Sequence, residues 1–272
     1  MQKLRKIYKR LFWILFNLLK PKRDFTLVRF ENFYSIFKIY EHTAPKCSLF
    51  NLKELPFNKR RYELLGMQIG TEPSEAYFLI KAIHESLSID GVCCEFGVAQ
   101  GQTSALIANE LLAFSKKKLY LFDSFEGLPE PTKEDILIDD IFNYGNILNY
   151  KGCMKSPKES LIKNLSNVGI NKSKYKIFSG FVDKNFSNTS DLPEKVSFAY
   201  VDFDFYEPIK IILEFLLNVT DKGSFIIVDD YDFFSSGVKL AVDNFTSQHS
   251  EKFDYFVAPK YIGNFIVIKR IK

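Results

Sequence analysis

From Gly91 to the end of the chain, short apolar runs alternate with amphipathic stretches of helical period. Gly91–Phe96 reads as a buried strand, 102–114 as a helix and Lys118–Phe122 as a second strand. Further strand runs lie at Tyr175–Phe178, Val196–Val201 and Phe225–Val228, with helices expected at about 206–218 and 236–248. Ser156-Pro157-Lys158-Glu159 has the form of a capping box with proline in the first turn, so another helix should start there. Such alternation predicts an α/β fold, a mainly parallel sheet covered by helices on both faces. Phe253–Val257 and Phe265–Ile268 are joined by a short turn with no helix between them, which makes the last of seven strands antiparallel.

Before Gly91 the pattern differs. Residues 24–57 are aromatic-rich without clean period, and Pro45 and Pro56 interrupt them. From Lys59 to Leu87 the spacing turns helical, with Pro73 opening the helix that carries Ala76, Phe78, Leu79, Ala82 and Ile83. Residues 1–88 therefore read as a helical lead-in and cap, and 89–272 as the main domain. Within the latter, 124–155 is too long for a bare connector and reads as a lid-like insertion.

Composition bounds the function less than the pattern does. Apolar residues make up 46% and charged residues 26%, as in a soluble globular protein. The net charge of +4 comes largely from the first 25 residues, so the main domain has no nucleic-acid footprint. Lys3, Arg5, Lys6, Lys9 and Arg10 precede the apolar run Leu11–Phe16, which ends before Lys20-Pro21-Lys22-Arg23. That run is too short to span a bilayer and lacks a small-x-small cleavage site. Residues 3–19 are expected to pack on the domain or a partner subunit, or to lie on an anionic membrane surface. The four cysteines, Cys47, Cys93, Cys94 and Cys153, form no C-x-x-C pair. They read as reduced, packed thiols of a cytoplasmic protein, with the inner membrane face as its one other expected location.

Two constellations carry chemistry. In the first, Glu95-Phe96-Gly97-Val98-Ala99-Gln100-Gly101-Gln102-Thr103 links a strand to a helix, and the small residues at 97, 99 and 101 let the backbone approach a ligand. The dinucleotide pattern G-x-G-x-x-G fails because position 102 is Gln. Asp123 closes the second strand, 22 positions beyond Gly101, where a carboxylate can accept both ribose hydroxyls of a nucleoside. In the second, Asp202 and Asp204 end one strand run, and Asp229 and Asp230 end the next. Adjacent strand tips face one crevice, so Asp202, Asp229 and Asp230 are expected to converge on Mg²⁺ or another hard divalent cation. Each aspartate has a plainer reading as a cap of the element that follows.

These stretches resemble the macrocin O-methyltransferase family of class I S-adenosyl-L-methionine-dependent sugar O-methyltransferases. The matching pieces are Glu95–Gly101, Phe122–Pro129, Ser179–Phe181, Val201–Glu207, Ile227–Tyr231 and Gly237–Phe245. Class I methyltransferases also end in an antiparallel strand, whereas nicotinamide-binding domains usually do not. The resemblance implies a Rossmann-like fold whose cofactor residues are Glu95, Gly97, Val98, Ala99, Gly101, Thr103, Ser104, Asp123, Ser124, Phe125, Gly180 and Phe181. It implies Mg²⁺ on Asp202, Asp229 and Asp230, with Asp202 catalytic, and a small-molecule or glycan acceptor bearing a sugar hydroxyl. A homo-oligomer is an open expectation. The histidine that serves macrolide members as base has no counterpart, since 124–180 contains none. Asp139, Asp140 or Tyr144 is left to take the proton, with Asp140 the nominal choice, or the metal suffices. Asp202-Phe203-Asp204 is also the D-x-D motif of metal-dependent glycosyltransferases, and a catechol-like acceptor fits the same carboxylates. A dehalogenase-type phosphatase and a non-catalytic membrane adaptor are weaker rivals.

Overall fold

The structure is a computed structural model that describes Ala44 and residues 46–272. The expected helix over 3–19, its membrane or subunit contacts, and most of the aromatic lead-in lie outside the described residues. Two helices, α1 (Lys59–Leu65) and α2 (Pro73–Ser86), precede the sheet. Then follow β1 (Val92–Phe96), α3 (Gln102–Phe114), β2 (Leu119–Asp123), α4 (Lys158–Val168), β3 (Tyr175–Ser179) and β4 (Val196–Val201). The chain continues through α5 (Tyr206–Val219), β5 (Thr220–Val228), α6 (Ser236–Gln248), β6 (Phe253–Val257) and β7 (Ile266–Arg270).

The seven strands lie in the order β3-β2-β1-β4-β5-β7-β6. β1 through β5 pair in parallel, and β7 runs antiparallel to both β5 and β6. This is the sheet that the strand pattern predicts, including its reversed last strand. β4 is buried at every position, as a central strand roofed on both faces must be. One face packs Cys93, Phe198, Tyr200 and Ile227 against α2, α3 and α4; the other packs Cys94, Ala199, Val201 and Val228 against α5 and α6. β1 has β2 on one side and β4 on the other, so successive connections diverge there and leave a crevice at the strands' carboxyl ends.

The described part of the cap shares that core. Residues of α2 such as Phe78, Leu79 and Ile83 belong to the same apolar cluster as Leu106 of α3 and Phe225 of β5. α1 is pinned by charge. The Arg61 guanidinium donates to both oxygens of Glu110 on α3, at 2.8 and 2.6 Å, and His84 Nε2 lies 2.9 Å from Glu110 Oε2. Burial of this trio is near complete, and mutual pairing offsets its desolvation.

The expected capping box at Ser156 does not form. α4 begins at Lys158 with Pro157 in the cap position, which moves Ser156 one residue outside, and its buried Oγ has no hydrogen-bond partner. Of the thiols, Cys47, Cys93 and Cys94 are packed as expected, with burial pushing Cys93 up to about 12, whereas Cys153 is half-buried. Among the described residues no helix is long and apolar enough to cross a membrane.

Candidate active site

The glycine loop leaves β1 in left-handed conformations. Gly97 has φ of 87°, Ala99 42° and Gly101 84°. At Gly97 the requirement is double, because a Cβ would also lie 2.0 Å from the Asp202 carbonyl oxygen. The Asp202 amide donates to Phe96 O at 2.7 Å, so the loop and the tip of β4 are built against each other.

Asp123 at the end of β2 fastens this loop. Its Oδ2 accepts the amides of Val98 (2.8 Å) and Ala99 (2.9 Å), and its Oδ1 accepts that of Phe125 (2.6 Å). Ser124 closes the following turn by donating to Gly127 O, and Gly180 N donates to Asp123 O at 3.0 Å. Glu95, Gly97, Val98, Ala99, Gly101, Asp123, Ser124, Phe125 and Gly180 are thus drawn around the carboxyl ends of β1 to β3, with Phe181 exposed beside Gly180. Thr103 is employed elsewhere: its hydroxyl pairs with Thr71 at 2.9 Å and with Gln68, holding α3 to the cap.

Glu95 is the anomaly of the loop. It is fully buried, and neither carboxylate oxygen has a hydrogen-bond partner. Burial lifts its pKa from 4.5 to about 8, against a downward pull from the Ser104 hydroxyl, with the Asp123 charge adding to the rise. The Ser104 hydroxyl is likewise buried and unpartnered. Glu95 at the end of β1 and Ser104 in the first turn of α3 thus face each other as a buried pair that makes no hydrogen bond to any other described group.

The acidic cluster differs from the expected set in one member. Carboxylate oxygens of Asp202, Asp204 and Asp230 lie within 4.8 Å of one another. Asp229 is instead bound behind them: its Oδ2 lies 2.9 Å from the Tyr200 hydroxyl and its Oδ1 accepts the Asp230 amide at 2.7 Å. Asp204 and Asp230 both take positive φ, 61° and 54°, which is unfavourable for residues with a Cβ and turns their side chains toward Asp202. The crowded site raises every pKa in it. Desolvation leads for Asp202 and Asp230, followed by the Asp229 charge, and Asp204 rises to about 6 chiefly through burial.

Sequence reasoning missed two further carboxylates. Glu75 of α2, buried, places Oε1 3.1 Å from the Tyr200 hydroxyl. Asp135 of the insertion accepts Thr132 N and Oγ1 on one oxygen, and Tyr206 N and Ser235 Oγ on the other. It thereby ties the insertion to the starts of α5 and α6, above a small core of Leu128, Tyr150, Phe205 and Phe234. Asp140 does not join the cluster through any hydrogen bond. It accepts from the Tyr150 hydroxyl (2.6 Å) and from the amides of Tyr144 and Gly145 (both 2.8 Å). The Tyr150 bond holds its carboxyl below the usual range, which makes it a poor base.

Comparison with known proteins places this arrangement. Among solved structures, the O-methyltransferase NovP superposes with a TM-score of 0.61 at 17% identity, covering 74% of this chain and 81% of NovP. CalS11, a calicheamicin methyltransferase, gives 0.58 at 17% identity over 91% and 94% of the two chains. An O-methyltransferase from Bacillus cereus in complex with SAH gives 0.51 at 12% identity over 89% and 100%. These likenesses establish the class I methyltransferase fold. A curated relative from Streptomyces olivaceus, 8-demethyl-8-(2,3-dimethoxy-alpha-L-rhamnosyl)-tetracenomycin-C 4'-O-methyltransferase, is 25% identical over 152 residues. That match spans 54% of this chain and about half, 56%, of the relative's length. Residues 79–255, which contain the glycine loop, Asp123 and all four strand-tip aspartates, match the family model for macrocin-O-methyltransferase (TylF), and the chain belongs to that family.

Proposed function

We propose that the protein transfers the methyl group of S-adenosyl-L-methionine to a sugar hydroxyl, with a divalent cation held by the strand-tip aspartates. The observation that carries this reading is the contact of two half-sites, the glycine loop fastened by Asp123 and the Asp202–Asp204–Asp230 cluster, joined where Gly97 abuts Asp202.

The residues fit both absent groups. Glu95 and Ser104 offer the donor's methionine end a buried carboxyl and hydroxyl with no other described partner, and Asp123 Oδ1 keeps one acceptor site for a ribose hydroxyl. The second set is all oxygen, as hard cations such as Mg²⁺ require. Asp202 and Asp230 would hold the ion, with Asp204 rather than Asp229 closing the triangle. A bound cation supplies charge that lowers the pKa of an acceptor hydroxyl.

The chain's own part is orientation. The attacking oxygen displaces a neutral thioether from the sulfonium methyl, so alignment supplies much of the rate. As the O–CH₃ bond forms and the S–CH₃ bond breaks, the hydroxyl proton leaves. With Asp202, Asp204 and Asp230 engaged by the ion, the proton passes to solvent from a hydroxyl whose acidity the cation would raise. The insertion, anchored by Asp135, stands beside the crevice as a wall against water.

A sugar acceptor follows from the relatives. The Streptomyces olivaceus enzyme is named for methylation on a rhamnosyl-tetracenomycin, and CalS11 is also described as a TDP-rhamnose 3'-O-methyltransferase. Calorimetry tests the donor: S-adenosylhomocysteine binds and UDP-sugars do not. Methyl transfer to a panel of rhamnosylated acceptors, with and without EDTA, tests the rest. Full activity in EDTA would remove the cation, and binding of UDP-sugars in place of S-adenosylhomocysteine would remove the whole reading.

A further inference from the structure

Helix α2 carries one carboxylate that packing does not explain. Its buried face is mainly apolar, with Ala76, Phe78, Leu79, Ile80, Ala82 and Ile83 in the core, and its buried serines, Ser74 and Ser86, each donate to a backbone carbonyl. Glu75 sits among them at 4% exposure. An acid in a helix's first turn ordinarily faces solvent and the free amides of that turn. Glu75 is turned inward, and a buried carboxyl is costly unless polar groups in the interior take it up.

What it meets is a chain of contacts leading to the acidic cluster. Glu75 Oε1 lies 3.1 Å from the Tyr200 hydroxyl, which lies 2.9 Å from Asp229 Oδ2, and the Glu75 and Asp229 carboxyls also meet directly. Asp229 Oδ1 in turn accepts the amide of Asp230 at 2.7 Å. Asp230 holds a left-handed backbone, φ 54°, so this bond braces a member of the cation cluster in a less common conformation. Tyr200 itself is locked in the middle of β4, fully buried, so its hydroxyl has no freedom to find other partners. Glu75 stands outside the stretch that matches the family, residues 79–255, and comes from the cap.

We propose that Glu75 is a positioning residue for the acidic cluster, acting through Tyr200 and Asp229 to fix the turn that presents Asp230. The cap is then a working part of the site as well as a cover for the sheet. This rests on the reading of the cluster as a cation site. Groups that brace metal ligands from behind typically govern affinity by about 10- to 100-fold.

The test is Mn²⁺ binding to the full-length protein, followed by the loss of the free-ion electron paramagnetic resonance signal, with S-adenosylhomocysteine affinity measured in parallel by calorimetry. Glu75→Leu and Tyr200→Phe should each weaken Mn²⁺ by about 10-fold or more and leave S-adenosylhomocysteine affinity unchanged. Glu75→Gln, which keeps a hydrogen-bonding group in place, should recover most of the loss. Tyr200→Phe preserves the ring and its packing, and makes the test even if Glu75→Leu fails to fold. Wild-type Mn²⁺ affinity in Tyr200→Phe or a folded Glu75→Leu would overturn the inference, as would a parallel fall in affinity for both ligands. A wild-type protein that binds S-adenosylhomocysteine and no Mn²⁺ would overturn the cation reading, and this inference with it.

Discussion

The buried carboxyl of Glu95 links stability to pH in a way that one substitution isolates. In the unfolded chain the group ionises near 4.5; in the folded protein without ligands it keeps its proton to about 8. Between those values the native state binds more protons than the unfolded state, so stability falls as pH rises. The contribution is fully present below pH 4.5 and is spent by about pH 8. At 1.36 kcal/mol per unit, the share lost between pH 5 and 8 is about 4 kcal/mol. Glu95→Gln keeps the shape, and has no proton to lose. Denaturant unfolding at pH 5, 6.5 and 8, without cofactor or divalent cation, should show wild type losing about 4 kcal/mol more than the variant over that range. The other raised carboxyls are common to both proteins; Asp202, which the Glu95 charge helps to push up, differs as a minor contribution. Saturating S-adenosylhomocysteine, whose ammonium would favour ionised Glu95, should shrink the wild-type loss. Parallel pH profiles for the two proteins would refute the reasoning.

Other substitutions probe the frame of the site. Gly97→Ala puts a Cβ 2.0 Å from the Asp202 carbonyl at a φ of 87°; thermal melts should register a loss of about 3 kcal/mol or more, and calorimetry no S-adenosylhomocysteine binding. Asp135→Ala strands four donors at the base of the insertion. It should cost about 3 kcal/mol or more and open residues 124–155 to limited proteolysis. Arg61→Met leaves the Glu110 carboxylate buried without its guanidinium partner; about 3–5 kcal/mol should vanish from the unfolding free energy.

Most of the fold was legible because its elements announce their own ends. The helices at 102–114 and 236–248 begin and end where the pattern places them, one after the left-handed Gly101 and the other after the Ser235 side chain that caps it. β5 starts at Thr220, five residues before the apolar run, since Thr220–Ser224 is polar and reads as a loop while its backbone already pairs with β4. The cofactor loop could be read from small residues at fixed spacing. The acidic cluster was legible only in part: proximity to a strand tip does not say which way a side chain turns. Aspartate enters the left-handed region more readily than most residues, but the sequence does not say which of four aspartates does so; it is Asp204 and Asp230. Asp135 and Glu75 act across separations of up to 125 residues, and each resembles an ordinary turn or first-turn acid when read locally. Pro157 likewise looks like support for a cap at Ser156, yet it displaced that residue from the cap.

The central claim is that Asp202, Asp204 and Asp230 hold a cation beside a donor bound at the glycine loop. Crystals grown with S-adenosylhomocysteine and Mn²⁺, measured at a wavelength where manganese scatters anomalously, test it directly. One strong anomalous peak should lie within about 2–2.5 Å of a carboxylate oxygen from each of the three aspartates, with a ribose hydroxyl on Asp123. An ordered S-adenosylhomocysteine with no anomalous density among those carboxylates, or a ligand bound away from Asp123, would contradict it.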